Sequence, residues 1–226
     1  MMDRLLAIVF FLFVMILANG QDISRHEADS ILQLLVKAKP GLDRTELLLS
    51  SAEFQIFKPG EYKLDLDSSA VYIVEAKLIN KGINSEEVDG YITLVESYLT
   101  RERGERQPAK EMVKKAIQIL SKGKDKLKLG EAYFELSQYY DFTDSKQFPE
   151  KVRLVELAVQ SFQQSENIER QAAGLKFMGD LHQSNSLYSR CYHRDFTSEI
   201  RINSIHMKEE VFIAETQLYP LIGKNV

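Results

Sequence analysis

The chain has 226 residues, of which 44% are hydrophobic and 27% are charged, and its formal net charge is −4. These values are typical of a globular protein of one or two domains with enough apolar material for a sizeable core. The mild acidity argues against a nucleic-acid-binding protein, which is expected to carry a strongly basic face.

The first twenty residues predict a secretory signal peptide. A positively charged start precedes the apolar run LLAIVFFLFVMIL at 5–17, and Ala18 and Gly20 are small residues at the −3 and −1 positions. The alternative is a membrane anchor. A helix over this run measures about 20 Å, against a hydrocarbon core of roughly 30 Å. We therefore favour cleavage after residue 20 and secretion across the inner membrane to the periplasm. No cysteine follows the run for lipid modification, and we expect no membrane insertion of the mature chain.

Beyond residue 21 the chain is predicted to be almost entirely helical, because apolar residues recur at three- and four-residue spacing. Asp67, Ser85, Pro108 and Pro149 are expected to mark helix starts. Asp65 and Asp67 also suggest a cation site, but a capping role for Asp67 is the simpler interpretation. Breaks between helices are expected at 39–41, 58–60, 80–84, 102–108, 123 and 141–149.

One helix pattern recurs four times at intervals of 42 residues. It has a large residue, a second apolar residue three positions later and a third member seven positions later. The four copies are Leu49, Ala52 and Ile56; Tyr91, Leu94 and Tyr98; Tyr133, Leu136 and Tyr140; and Leu175, Met178 and His182. In the last two copies a small residue, Ser137 or Gly179, follows the second member and allows a neighbouring helix to approach. We therefore interpret Tyr133, Leu136 and Tyr140 as core residues rather than as part of an active-site helix.

A second helix pattern follows each of the first three copies. It has a residue that is usually small, a large residue four positions later and an alanine three positions after that. The members are Ser69, Ile73 and Ala76; Ala109, Val113 and Ala116; and Lys151, Val155 and Ala158. Leu120 and Phe162 continue the stripe one turn later. The alanine that ends each trio predicts close contact between two helices.

The two patterns together resemble the tetratricopeptide repeat (TPR), which pairs a large-x-x-Leu-small-x-x-Tyr helix with a small-x3-large-x2-Ala helix. That family has a period of about 34 residues. Here the period is longer, the tryptophan of the first helix is replaced by Leu49, Tyr91, Tyr133 or Leu175, and the terminal proline is missing. The resemblance implies hairpins stacked around one continuous core.

A second resemblance covers roughly residues 30–185. The segment LLVKAKPGLDRTELLLSSAEFQIFKPGEYKLDLDSS, at 34–69 and behind the signal sequence, is similar to the start of exported repeat regions in Bacteroidetes-type sensor histidine kinases. In those proteins a periplasmic repeat array precedes a membrane helix and a cytoplasmic kinase. The sequence has neither a phosphoacceptor-histidine helix nor glycine-rich nucleotide-binding boxes, so the resemblance does not imply kinase activity.

These patterns predict an all-α fold, a right-handed α-solenoid of three to four TPR-like hairpins of about 42 residues. We expect a signal peptide at 1–20, an N-terminal helix and linker at 21–43, the repeat domain at 44–185 and a degenerate C-terminal repeat or cap at 186–226.

The repeat pattern fails after residue 187, where His193, Thr197 and Ile200 occupy the positions of a fourth second helix. One interpretation is a divergent end cap, since terminal repeats are often atypical. The other is a disrupted reading frame near 188–190, which would make the chain a remnant of a longer sensor. Under either interpretation 207–218 is expected to form a helix that covers the last apolar face.

The chemistry-bearing residues do not form a recognisable catalytic or metal-binding motif. No two of the four histidines lie at i, i+4 on a predicted helix, and the single cysteine, Cys191, excludes an internal disulfide. A run of lysines around Gly123 is expected to be a solvated turn rather than a patch for an anionic partner. We therefore expect no enzyme activity, cofactor or metal.

Peptide binding is the remaining function that the pattern favours. Positions one and five residues after the first member of each stripe, together with two phenylalanines one turn further on, are expected to face a concave groove. These groove candidates are Ser50, Phe54, Phe57, Ile92, Glu96, Phe134, Gln138, Phe142, Lys176 and Asp180. Exposed phenylalanines would anchor an extended or helical peptide. The alternative is that Phe54 and Phe134 complete the core.

The leading hypothesis is an exported TPR scaffold that binds a protein or peptide in this groove, either alone or as the sensory, periplasmic part of a two-component signalling system. An envelope assembly or structural factor with the same scaffold is the alternative. A periplasmic hydrolase on a helical frame is the least favoured.

Overall fold

The computed structural model describes residues 25–60 and 62–192, with the side chains of 29–60 and 62–185. This part of the chain is all-α, as predicted. Its eight helices are α1 (Arg25–Lys37), α2 (Leu42–Phe57), α3 (Lys63–Ile83), α4 (Glu86–Glu102), α5 (Arg106–Leu120), α6 (Lys126–Ser137), α7 (Phe148–Gln164) and α8 (Ile168–Tyr192). Within these residues, none of the helices is long and apolar enough to cross a membrane. The predicted signal peptide, the predicted helix at 207–218 and the side chain of Cys191 lie outside the described residues.

Local chain chemistry accounts for where several helices begin. The Ser85 Oγ accepts a hydrogen bond from the Val88 N–H at 3.3 Å, which satisfies one of the free N–H groups at the start of α4. Asp125 caps α6 in the same way through the Lys128 N–H at 2.9 Å. Pro149 lies in the first turn of α7. The starts predicted from Ser85 and Pro149 are confirmed.

The start of α3 differs from the prediction. Tyr62 is its N-cap, and the Asp65 carboxylate accepts the Tyr62 N–H at 2.8 Å and the Lys58 ammonium at 2.6 Å. Asp67 lies one turn inside the helix and pairs with Arg103 at 3.1 Å. The capping role expected for Asp67 was therefore wrong. Asp65 holds that role, and its bond to Lys58 lowers the pKa of its carboxyl group.

The predicted break at 80–84 also began too early, because α3 continues to Ile83. Asn80 is buried, and its side-chain amide donates to the Ser85 carbonyl at 3.0 Å and to Asp89 at 2.6 Å. This amide ties the end of α3 to the start of α4. Asn84 follows the last residue of the helix, and its φ of 57° is left-handed.

The chain divides into two compact units, Met1–Ala109 and Lys110–Val226, with the boundary inside the first turns of α5. In the first unit α1 packs on α2, α2 packs on α3 and α4, and α3 packs on α4. In the second unit α7 packs on both α6 and α8.

The two sequence patterns fall on alternate helices. The four copies of the first pattern lie in α2, α4, α6 and α8, except for Tyr140, which follows the end of α6, and the three copies of the second lie in α3, α5 and α7. All members of the second pattern are buried, including Lys151. In the first unit every member of the first pattern is buried as well.

The second unit buries its first-helix stripe less completely. Leu136 and Met178 are buried, whereas Tyr133 and Tyr140 are only half-buried. Tyr140 lies beyond the end of α6, where the Lys110 ammonium sits 4.1 Å from the centre of its ring. The interpretation as a core residue therefore holds for Leu136 and only in part for the two tyrosines.

Contact between α6 and α7 requires a residue without a side chain at position 130. A Cβ added to Gly130 would lie 2.6 Å from Phe162 Cε1 and 3.1 Å from the Ala158 carbonyl oxygen. The Phe162 ring thus rests on the bare backbone of α6. Gly174 similarly allows α8 to lie close to α7, since a Cβ added to it would lie 2.8 Å from Val159 Cγ2.

Gly130→Ala is expected to lower the free energy of unfolding by about 1–3 kcal/mol, because a clash with a buried ring outweighs the better helix propensity of alanine. Equilibrium urea unfolding measures this. Gly82→Ala in α3 is the matched control, since its Cβ would meet nothing within 4 Å. That variant is expected to be as stable as the parent or up to about 1 kcal/mol more stable. Equal stability of the Gly130→Ala chain would contradict the close approach.

Candidate functional site

In the first unit, consecutive first helices lie side by side. The rings of Phe57 at the end of α2 and Tyr98 in α4 meet edge to face, with centroids 5.0 Å apart. The Tyr91 hydroxyl donates to Glu53 Oε2 at 3.1 Å across the same pair of helices. The groove candidates of α2 and α4 therefore belong to adjacent helices.

The groove candidates of this unit differ in exposure. Ser50, Phe54 and Phe57 of α2 are partly exposed. Glu96 of α4 is partly exposed and forms an ion pair with Lys77 of α3. Ile92 is only 3% exposed, so its side chain belongs to the core rather than to an open groove. The physical reason is that α4 packs against both α2 and α3 and is buried around most of its circumference.

In the second unit two side-chain contacts join the first helices α6 and α8. Phe134 of α6 and Phe177 of α8 meet edge to face with their centroids 5.0 Å apart. Arg170 at the start of α8 pairs with Glu131 of α6 at 3.1 Å. These two contacts link the helices that carry the groove candidates of this unit.

The exposed candidates are concentrated in this second unit. Lys176 and Asp180, four residues apart on α8, are exposed, and Gln138 is partly exposed just beyond α6. Phe142, in the loop after α6, is 40% exposed and is the most exposed phenylalanine among the candidates. Phe54 and Phe134 are half-buried. Their exposure is intermediate between that of an exposed peptide anchor and that of a core residue, the two roles that the sequence left open.

Sequence reasoning missed the role of Lys151. This side chain is 6% exposed, and its ammonium donates to the Ser137 carbonyl at 2.8 Å and to the Tyr140 carbonyl at 3.1 Å. Carbonyls at the end of a helix have no partner within the helix and carry partial negative charge. Lys151 therefore caps the C-terminal end of α6. The sequence contains a signal for this role, because Lys151 stands at a position where α3 and α5 have the small residues Ser69 and Ala109.

Arg44 performs a similar task in the first unit. Its Nη1 donates to the carbonyls of Leu35 at 2.7 Å and Ala38 at 3.0 Å, where α1 ends. Its Nε and Nη2 both donate to Glu75 of α3, at 2.9 and 2.6 Å. One guanidinium thus holds α1, α2 and α3 together. The buried Lys151 and the half-buried Arg44 therefore hydrogen-bond to other parts of the protein rather than point towards a substrate.

His182 is the one histidine whose side chain the structure describes. It is half-buried, and its ring meets Phe148 edge to face at 5.7 Å. Burial lowers the pKa of the imidazole, and the nearby charge of Glu156 opposes this only in part. In the described residues, no group of three or more histidine, cysteine or carboxylate side chains is arranged to hold a metal ion.

Comparisons with known proteins add no relative. The chain matches no protein-family model, and neither a curated protein nor a solved structure is significantly similar to it. The candidate site therefore depends on the geometry above.

Lys151→Met keeps the length of the side chain but removes the ammonium, so the Ser137 and Tyr140 carbonyls each lose a hydrogen bond, and Ser137 keeps the one from the Tyr140 N–H at 3.2 Å. We expect the free energy of unfolding to fall by about 1–3 kcal/mol. Urea unfolding with Lys115→Met as control measures the effect, because Lys115 is exposed on α5 and its loss is expected to change stability by less than about 0.5 kcal/mol. If both variants were equally stable, Lys151 would not be a helix cap.

His182 predicts a pH dependence of stability. Its pKa in the folded state lies below the ordinary value of 6.5, so the unfolded state binds more protons as the pH falls below that value. Stability is therefore expected to decrease on acidification below about pH 6.5. The plot of unfolding free energy against pH in this range should be shallower for His182→Gln than for the parent. Parallel plots would show that His182 does not contribute.

Proposed function

We propose that this chain is an exported helical-repeat scaffold that binds a protein or peptide on the face formed by its first helices. The proposal extends to a sensory role in the periplasm, as the resemblance to exported sensor repeats suggests. Support comes from the alternation of two helix patterns in α2 to α8 and from the burial of the second pattern in every copy.

The observation that carries the proposal is the pairing of first helices within each unit. Phe57 with Tyr98, and Phe134 with Phe177, join helices whose pattern positions are 42 residues apart. Side-by-side helices of this kind create a shallow groove, and repeat proteins commonly bind their partners on such a surface. The polar candidates Gln138, Lys176 and Asp180 lie on the partly or fully exposed side of these helices.

The exposed residues of the second unit indicate the chemistry of the ligand. Phe142 offers an aromatic surface, while Lys176 and Asp180 present opposite charges one helical turn apart. A peptide with an apolar anchor and charges of both signs would complement this face. Such a ligand requires neither a metal nor a catalytic group.

The experiment is a selection of peptides from a random displayed library on the full chain, followed by affinity measurement by fluorescence anisotropy. Phe142→Ala and Lys176→Glu are each expected to weaken binding of the selected peptides about tenfold, which is typical of an interface residue that contributes strongly. Lys115→Glu, an exposed charge reversal on the second helix α5, is the control and should leave affinity unchanged. If the library yields no binder, or if all three variants bind as the parent does, the proposal fails.

A further inference from the structure

The outer face of α3 is apolar and exposed. Leu64, Val71, Val74 and Leu78 are 77%, 64%, 55% and 60% exposed. Their spacing of seven, three and four residues places them on one stripe of the helix. The stripe lies opposite the buried pattern of α3, whose members pack against α2 and α4.

This stripe is particular to α3. The second helices follow one another at offsets of 40 and 42 residues, so the equivalents of Val71, Val74 and Leu78 can be read directly from the sequence. These equivalents are Glu111, Lys114 and Gln118 in α5, and Arg153, Glu156 and Gln160 in α7. Charged or amide side chains thus occupy the outer positions that face water in the other two copies. The general architecture of the repeat therefore does not explain the apolar residues of α3.

The size of the stripe is that of an interface. From their fractional exposures, the four side chains present roughly 400–500 Å² of apolar surface, as large as the largest patch on a typical monomer. About 57% of a typical interface is apolar, so an interface with this patch as its apolar part would bury roughly 800 Å² on each copy. Stable complexes of standard size bury about that area on each side.

The order of residues along the stripe is self-complementary. Residues 64, 71 and 78 fall at one heptad position, and residues 67, 74 and 81 fall at the other. A two-fold axis between residues 72 and 73 places Val71 opposite Val74 of an antiparallel second copy. The same axis places Lys81 opposite Leu64 of that copy and Asp67 opposite Leu78 of that copy, so Lys81 lies diagonally next to the Asp67 of the second copy. Lys81 and Asp67, which also pairs with Arg103 of its own chain at 3.1 Å, are therefore charges of opposite sign where the two copies meet.

We propose that the outer face of α3 is a homodimer interface, in which the stripe of Leu64, Val71, Val74 and Leu78 packs antiparallel against the same stripe of a second copy. The arrangement is isologous, so one surface serves both copies and the assembly closes at two. The residues of this interface differ from those of the peptide binding proposed above. The dimer does not depend on that function.

Sedimentation equilibrium of the purified full-length product tests the interface, with the N-terminus of the purified protein determined by mass spectrometry. The parent is expected to show twice the monomer mass. Val74→Lys places a charge in the interface twice per dimer. Each of the two charges is expected to weaken the dimer about tenfold. The dissociation constant of the dimer should therefore rise roughly a hundredfold. Val36→Lys is the matched control, because Val36 is 87% exposed on α1 outside the stripe, and the dimer should persist.

Two results would overturn the proposal in this experiment. The first is a protein that stays monomeric at every concentration up to its solubility limit. This outcome includes a monomer whose stripe binds lipid vesicles and a monomer whose own residues 5–17 cover the stripe. The second is a dimer that Val74→Lys does not weaken. Neither result concerns peptide affinity, which is measured separately, so failure of the dimer and failure of the proposed function are distinguishable.

Disulfide trapping tests the register, with Cys191→Ser as the background so that no native thiol interferes. A chain with Val71→Cys mixed with a chain with Val74→Cys is expected to cross-link across the axis, since only close Cα atoms can be bridged. Either chain alone should cross-link much more slowly. Efficient cross-linking of Val71→Cys with itself would indicate parallel packing and contradict the antiparallel arrangement.

Discussion

Close approach between first and second helices is the constraint on which this structure depends. The alanines that end the second-helix trios, Ala76, Ala116 and Ala158, are completely buried. Close to Ala158 the α7 backbone and the Phe162 ring lie against Gly130, where a single added carbon would clash. Small residues at these positions bring the helices close enough for large residues such as Ile73 and Val155 to fill the space between them. Each helix thereby buries a stripe that it cannot bury alone.

Packing helices this closely creates a second problem at their ends, where backbone carbonyls lack partners. The chain solves it with long cations from neighbouring helices. Arg44 bonds the end of α1, and Lys151 bonds the end of α6. A buried ammonium is tolerated when its donors are satisfied and when it faces the negative end of a helix. Polar side chains inside this protein thus complete the backbone hydrogen bonding that the helical packing leaves unfinished.

The surface divides into faces of different character. The first helices present partly exposed aromatic residues and, on α8, charges of both signs, which is the chemistry on which the proposed peptide binding rests. The outer face of α3 presents a mainly aliphatic stripe with Asp67 and Lys81 towards its ends, which suits a contact with an equally apolar surface. The two faces belong to different helix types of the repeat. The peptide binding and the self-association that we propose would therefore use different residues.

The sequence by itself determined the helical class, most of the breaks between helices and the residues of the second-helix stripe. These features follow from periodicity, from Pro149 and from the cap at Ser85, all of which act within a few residues of chain. The tertiary structure decided how deeply each side chain is buried. Ile92 is covered because α4 has neighbours on two sides, while Tyr140 is partly exposed because α6 ends before it. The role of Lys151 depends on carbonyls at the end of another helix, α6. A periodic pattern identifies one face of a helix, but burial depends on how many other helices surround it.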